Sequence, residues 1–403
     1  MNDLERRVCD DLAGRGPEML ARLTEHVAIP TGKDHRPGLD QYRRALTDRL
    51  AGLGAEIVTH PGAPRPVWLD TEPSTEDREP PISVTAHAPN GSGARILIAG
   101  HIDTVHDPAG AFRSLTVSDD GKTALGPGAA DMKGGILVAL TALEALHQCD
   151  AALNWTFLLN SDEETGTYHS AALLREQAKH HDFGLAIEPA LPGGALAVER
   201  MGSGQFKIEV FGKSAHAGRE FANGVSAVTR LGALLVEMGR MPDLERGMIV
   251  NVGPLKGGAV TNAVPDYAAC WGNVRYQDPE AGVELGRLLD AFETDEDAMP
   301  RVVVHRSWNR PAKPMTEGVR ELAQLARAAA GDLGQELPFE STGGVCDGNI
   351  LQDAGLPTID TLGVRGGALH TTDEWIEVAS LVERAQLFAV LMLRLSKQAA
   401  SRS

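Results

Sequence analysis

Cysteine, positive charge and long apolar runs are all scarce in this chain, and each shortage narrows what the protein can be. The four cysteines (Cys9, Cys149, Cys270, Cys346) are scattered over 403 residues with no CxxC spacing. That pattern supports neither a cysteine zinc site nor a disulfide framework, and it fits a reduced, cytoplasmic protein. Lysine and arginine number 38 against 55 aspartates and glutamates, a formal charge of −17 with no basic stripe. Nucleic acid and anionic membrane surfaces are excluded as partners, since both need a cationic face. No apolar run approaches the roughly 18 residues that span a bilayer; the run 387–393 is short and ends at Arg394. The opening Met1-Asn2-Asp3-Leu4-Glu5-Arg6-Arg7 is charged with no apolar stretch behind it, so no secretory signal is expected. Repeats and long low-complexity tracts are lacking too.

What is present is 42% hydrophobic and 23% charged residue, ordinary for a globular chain whose length suggests two domains. Helical spacing over 39–53 stops at Gly54, and 82–86 alternates like a strand; the surrounding 61–93 is rich in proline, glycine, serine and acids. Three short apolar runs, 95–99, 155–159 and 183–187, read as buried strands, separated by helical stretches at 134–148 and 170–179. Strands alternating with helices imply an α/β domain, a mostly parallel sheet with helices on both faces. From about 196 to 307 the pattern becomes strand 206–211, helix 225–238, strands 248–252 and 266–276, helix 279–292 and strand 301–305. This βαββαβ order is the ferredoxin-like split motif. Helix 317–330, strand 357–361 and helix 378–395 then resume the first style. The expected organisation is a discontinuous main domain, 1–195 and 308–403, with an inserted α+β domain at 196–307.

The informative polar residues follow the strands. His101 and Asp103 come after the first apolar run, Glu163 and Glu164 after the second, Glu188 after the third, and His370 closes the loop that follows 357–361. Ligands of open α/β sheets bind at the carboxyl ends of the strands, so these groups converge on one rim. Asp131, just before the helix at 134, can reach the same rim. Imidazoles and carboxylates at an open site suit zinc or a similar divalent ion, and several carboxylates suit two ions sharing one of them. Asp103, two residues after His101 on the same face, is placed to orient that imidazole. Of the neighbours Glu163 and Glu164, one can bind metal while the other serves as base. The pair Gly134-Gly135 allows a tight backbone turn beneath.

In order, His101-Ile102-Asp103-Thr104-Val105, Asp131-Met132-Lys133-Gly134-Gly135, Asp162-Glu163-Glu164-Thr165-Gly166, Glu188-Pro189 and His370 resemble the family 20 metallopeptidases. That family includes acetylornithine deacetylases, succinyl-diaminopimelate desuccinylases, aminoacylases, dipeptidases and glutamate carboxypeptidases. The resemblance covers nearly the whole chain and implies a di-zinc exopeptidase-like fold with an inserted lid and dimerisation domain, hence a homodimer. It implies two divalent ions, zinc first, with cobalt or manganese as alternatives. His101 and Glu188 would hold one ion, Glu164 and His370 the other, and Asp131 would bridge; Glu163 would be the general base. Within the insert, Ser214-Ala215-His216-Ala217-Gly218 resembles the motif whose histidine reaches the partner subunit's site; the alternative is a lid histidine merely capping a turn at Gly218. The likeness also implies substrate contacts from Asn262, Arg275, Arg310, Gly343, Gly344 and Gly367. Two departures stand out. Asn273 replaces an aspartate of the family's strand, and Val345 and Cys346 replace hydroxyl residues of its Gly-Gly loop, so that hydrogen bond is either absent or supplied by Thr342.

The implied activity is hydrolysis of an amide bond next to a free carboxylate, on a peptide or an N-acyl amino acid. The segment 364–370 with Asp373-Glu374 resembles the glutamate carboxypeptidase branch; an N-acyl-amino-acid deacylase is the alternative. A non-catalytic binding protein on the same fold would have lost Glu163 or a ligand, and none is missing.

Overall fold

The N-terminal helices α1 (Asp3–Ala13), α2 (Gly16–Val27) and α3 (Arg36–Gly52) are seen in a computed structural model that describes residues 1–32, 34–72, 79–89, 91 and 93–398. Helix α1 starts at a capping box, in which Asn2 accepts from the Glu5 amide and the Glu5 carboxylate accepts from the Asn2 amide. Strands β1 (Glu56–His60), β2 (Ser83–Pro89) and β3 (Arg95–His101) follow. Next come two short strands, β4 (Thr116–Val117) and β5 (Thr123–Leu125), then helix α4 (Gly135–Gln148), strand β6 (Asn154–Asn160), helix α5 (Ala171–Lys179) and strand β7 (Phe183–Ala186). Strand β8 (Leu196–Arg200) leads into the insert, made of β9 (Gly202–Phe211), α6 (Ala227–Met238), β10 (Met248–Gly257), β11 (Tyr267–Tyr276), α7 (Pro279–Asp290) and β12 (Arg301–Arg310). Helix α8 (Glu317–Asp332), strand β13 (Phe339–Thr342), helix α9 (Asp347–Asp353), strands β14 (Thr358–Ile359), β15 (Gly366–Gly367) and β16 (Trp375–Glu377), and helix α10 (Ala379–Leu395) complete the chain.

The central sheet runs β1-β2-β6-β3-β7-β14. Strands β6, β3, β7 and β14 are parallel, and β1 and β2 add an antiparallel edge, so the mostly parallel α/β sheet implied by the sequence is present. Alternation sorts its side chains into two layers. Ile96 and Ile98 join the core that holds α4 and α10, whereas Leu97 and Ala99 pack with Leu174 of α5 and Ile350 of α9. Parallel strands buried on both faces need continuous apolar runs, which is why β3 and β6 were legible.

The insert is an antiparallel sheet of order β10-β11-β9-β12 with its own core, in which Phe206, Ile208 and Val274 meet Leu231, Leu234 and Leu285 of α6 and α7. This is the ferredoxin-like arrangement. The change of layer falls a few residues later than expected at both ends; at the first, Leu196 and Val198 of β8 belong to the main core and β8 pairs with β13. The lid sheet proper begins at Gly202 and runs to Arg310. The opposite, polar face of the lid meets part of the 61–93 segment: the Trp271 indole N–H donates to the Trp68 carbonyl at 2.8 Å, and the Trp68 ring stacks on His305. Residues 73–78, 90 and 92 of that segment lie outside the described residues. Among the described residues, no helix is long and apolar enough to cross a membrane.

Candidate metal centre

Five expected ligands arrive from three strand ends, one turn and one loop, and they form a chain of close approaches. Glu188 Oε1 stands 3.9 Å from His101 Nε2, and that nitrogen is 3.2 Å from Asp131 Oδ1. Asp131 Oδ2 lies 3.4 Å from His370 Nε2, which is 3.3 Å from Glu164 Oε2. Asp131 thus faces both histidines, one with each oxygen. His101, Asp131 and Glu164 each offer one ligand atom, all within 4.8 Å of one another. His101 is the last residue of β3, and the β3–β6 register continues past it through the Ile102 amide, which donates to Asn160 O. His370 instead sits in a loop with φ +63° and is about half exposed.

Asp103 does more than the orienting task expected of it. The His101 Nδ1–H donates to the Asp103 backbone carbonyl at 3.0 Å, which leaves Nε2 as the face turned to the cluster. The Asp103 carboxylate, 3.5 Å from the ring, accepts the amides of Glu163 (3.3 Å) and Glu164 (2.9 Å). One side chain therefore ties the end of β3 to the turn after β6. The glycine pair also works differently from expectation. Gly134 and Gly135 have ordinary right-handed φ values (−64° and −62°). What excludes a side chain is crowding: a Cβ on Gly135 would lie 2.0 Å from the Ile187 carbonyl oxygen. The conformational demand falls on Gly128, at φ +67° with Thr104 Cγ2 only 2.6 Å from where a Cβ would stand.

Glu163 and Glu164 diverge. Glu164 turns to His370, whereas Glu163 Oε1 lies 2.6 Å from Arg310 Nη2 in a buried ion pair. The Nη2 hydrogens go to the Glu163 carbonyl and to the Thr167 hydroxyl, so Glu163 Oε1 keeps a lone pair with no hydrogen-bond partner. Thr167 in turn donates to Asp347, a buried carboxylate that also accepts from Asn160. Burial and the Glu163 charge push Asp347 up to about 7. Thr167, Asp347 and Glu374 were missed as site residues; the last two lay inside stretches already singled out, but only long-range contacts reveal their role.

The charges of the cluster are frustrated without a cation. Burial raises Glu164 to about 7 and Glu188 well above its ordinary value, and Asp131 adds to both. Asp131 and Glu164 raise His370 to about 10. Burial alone would lower His101, but Asp103, Asp131 and Glu188 outweigh it and hold the ring well above its usual range. Glu164 Oε1 is buried with no hydrogen-bond partner. Three mutually repelling carboxylates with two imidazoles at their edges are a donor set that fits a divalent cation.

The other expected site residues lie around this rim or on the lid. Arg275 and Arg310 end the lid sheet beside Ser203, and each keeps a buried guanidinium nitrogen without a partner, Nη1 and Nε respectively. Burial and the Arg310 charge lower Arg275. His216 is exposed, its Nδ1 accepting from the Gly218 and Arg219 amides at 3.2 Å. Exposed Asn262 stands next to it, its carbonyl accepting from Ala217. Asn273 donates to the Gly204 carbonyl and Ser203 hydroxyl. Gly343 and Gly344 are exposed after β13, with the Thr342 hydroxyl accepting from Gly344, and Gly367 pairs with Trp375. The Cys346 thiol is buried, which pushes its pKa well above the ordinary value.

An open α/β sheet with this acid–imidazole cluster at its strand ends, under a ferredoxin-like lid, defines a metal-dependent hydrolase. Residues 97–394 match the peptidase family M20/M25/M40, and the chain belongs to that family. It is 28% identical over 390 residues to carboxypeptidase G2 of Pseudomonas sp. (strain RS-16), covering 94% of this chain and 89% of that one. It is 29% identical over 361 residues to a succinyl-diaminopimelate desuccinylase of Methylorubrum extorquens, covering 83% and 89%. Among solved structures, a tripeptidase from Staphylococcus aureus superposes with a TM-score of 0.75 at 22% identity, covering 95% of this chain and 99% of that one. A dinuclear metal-binding M20 peptidase of Bacillus subtilis gives 0.66 at 17%, covering 95% and 98%.

Proposed function

We propose that the protein is a two-metal exopeptidase of the glutamate carboxypeptidase type, releasing a C-terminal amino acid from a small peptide or N-acyl amino acid. The observation that carries this reading is the pair Arg275 and Arg310. Two neighbouring guanidinium groups, each with a buried unpartnered nitrogen, call for an anion beside Glu163. A substrate carboxylate supplies it, and the adjacent amide then lies over the acid–imidazole cluster. His101 and Glu188 would hold one ion and His370 and Glu164 the other, with Asp131 serving both; zinc is the first choice, with cobalt or manganese as alternatives. When bound, the ions supply Lewis-acid activation of the scissile carbonyl and of the attacking water.

The protein's own groups do the rest. Glu163, whose Oε1 is ion-paired with Arg310 but accepts no hydrogen bond, takes the proton from water and passes it to the leaving amine. Asp103 fixes the His101 tautomer and both glutamate backbones. Asn262 and the glycines 343, 344 and 367 frame the substrate. Because His216 Nδ1 accepts two amides, its proton sits on Nε2, so the exposed ring edge is a donor suited to an oxyanion. In this reading the receiving site is that of a second copy, with the insert serving as dimerisation domain.

A panel of dipeptides and N-acyl amino acids, each with a free and an amidated carboxyl terminus, tests the reading with zinc, cobalt and manganese. Hydrolysis confined to free carboxylates and abolished by chelator is expected. Full activity in metal-free protein, or equal rates on amidated substrates, would refute it.

A further inference from the structure

The two halves of the cluster are held by different means. His101 and Glu188 stand at the ends of β3 and β7, neighbours in the central sheet paired through Ala99 and Ala186. Asp131 and His370 have no such support, because both sit in irregular segments outside that sheet. The small sheet β15-β16-β5-β4 joins those segments: β5 leads into the Asp131 turn, β16 follows the His370 loop, and Trp375 pairs with Leu125. This register puts Glu374 opposite Gly126, whose amide donates to the Glu374 carbonyl at 3.1 Å. The Glu374 side chain, 1% exposed, then crosses into the Asp131 turn. It accepts the backbone amides of Gly128 (3.2 Å), Ala130 (2.8 Å) and Asp131 itself (3.0 Å), and the ring of His106 at 2.6 Å.

We propose that Glu374 is a positioning residue that locks the Asp131 turn to the His370 loop and so builds the half of the metal centre that the central sheet does not. The inference rests on the two-ion reading above. An ionised carboxylate is acceptor-only and suits four converging donors. A carboxamide cannot replace it, since its NH2 would face amide N–H groups and leave a buried donor unpartnered. The turn would shift, and with it the Asp131 oxygen that faces His370. The His101–Glu188 half would stay where the sheet holds it.

Titration of chelator-stripped full-length protein with Zn²⁺ by calorimetry, and with Co²⁺ by visible absorption, tests this. Wild type is expected to take two equivalents. Glu374→Gln should weaken the second at least about tenfold and change its cobalt band, and should weaken the first less, because Asp131 serves both ions but His101 and Glu188 stay on the central sheet. Glu374→Asp keeps the charge but draws it back by one methylene, and should give a smaller loss in the same equivalent; it also serves if the Gln variant fails to fold. Leu12→Ala, in the core of α1 away from the cluster, supplies a control of lowered melting temperature. The inference is overturned if Glu374→Gln binds both equivalents as wild type does, or if Leu12→Ala loses the second equivalent equally. Fewer than two equivalents on wild type would overturn the two-ion reading itself, and this inference with it.

Discussion

Replacing Arg310 by alanine probes two jobs proposed for one side chain. Its Nη2 stands beside the Glu163 carboxylate, while its buried Nε has no partner and is free to receive a substrate carboxylate. Both members of the ion pair are less than a tenth exposed, so truncation strands a buried charge and should lower stability by about 3–5 kcal/mol. That loss appears in thermal unfolding of metal-free protein and has no bearing on the substrate. The second loss depends on it. A charge-assisted hydrogen bond contributes about 1.5–3 kcal/mol, which corresponds to roughly 10- to 150-fold in kcat/KM. Misplacement of Glu163 should slow free and amidated substrates alike, so the diagnostic quantity is their ratio. The ratio of kcat/KM for free over amidated substrate should fall about 10- to 150-fold in Arg310→Ala, and Arg310→Lys should recover only part, lacking the planar fork. The double variant Arg310→Met with Glu163→Gln should regain stability without activity, because no buried charge is stranded. An unchanged ratio would mean that Arg310 serves Glu163 alone and reads no carboxylate.

Glu163→Gln should keep its metal while turnover falls about 10²–10⁴-fold, and Glu164→Gln should lose metal first; elemental analysis beside turnover would expose an exchange of roles. Metal binding should release protons near neutral pH, since Glu164 (about 7), Glu188 (well raised) and His370 (about 10) hold protons that a cation must displace. Affinity should therefore rise as pH climbs from about 7 toward 10, and calorimetry in buffers of different ionisation enthalpy that found no proton release would contradict this. Glu163→Gln and His216→Ala, each nearly inactive alone, should regain activity when mixed and allowed to exchange subunits. Verified exchange without recovery would place His216 outside the partner's site.

Much of the fold was legible because its signals are local. A parallel strand buried on both faces must be apolar throughout, so β3, β6 and β7 announced themselves, and the residues just past them were marked as the rim. The βαββαβ order of the insert came from periodicity alone. Short strands such as β4, β5, β15 and β16 carry too few residues for a period, and they went unread although they join the Asp131 turn to the His370 loop. The Glu163–Arg310 pair spans 147 residues, and the Asp103 bond to the Glu164 amide spans 61. No propensity encodes such pairings, because they exist only once separate strand ends have been packed side by side. The sequence by itself marked His101, Glu163, Glu164 and Glu188 for the rim, since they stand at or just past strand ends. Only the tertiary structure decided which carboxylate faces which partner: Glu163 an arginine, Glu164 a histidine, and Glu374 three backbone amides, a choice made by packing between distant segments.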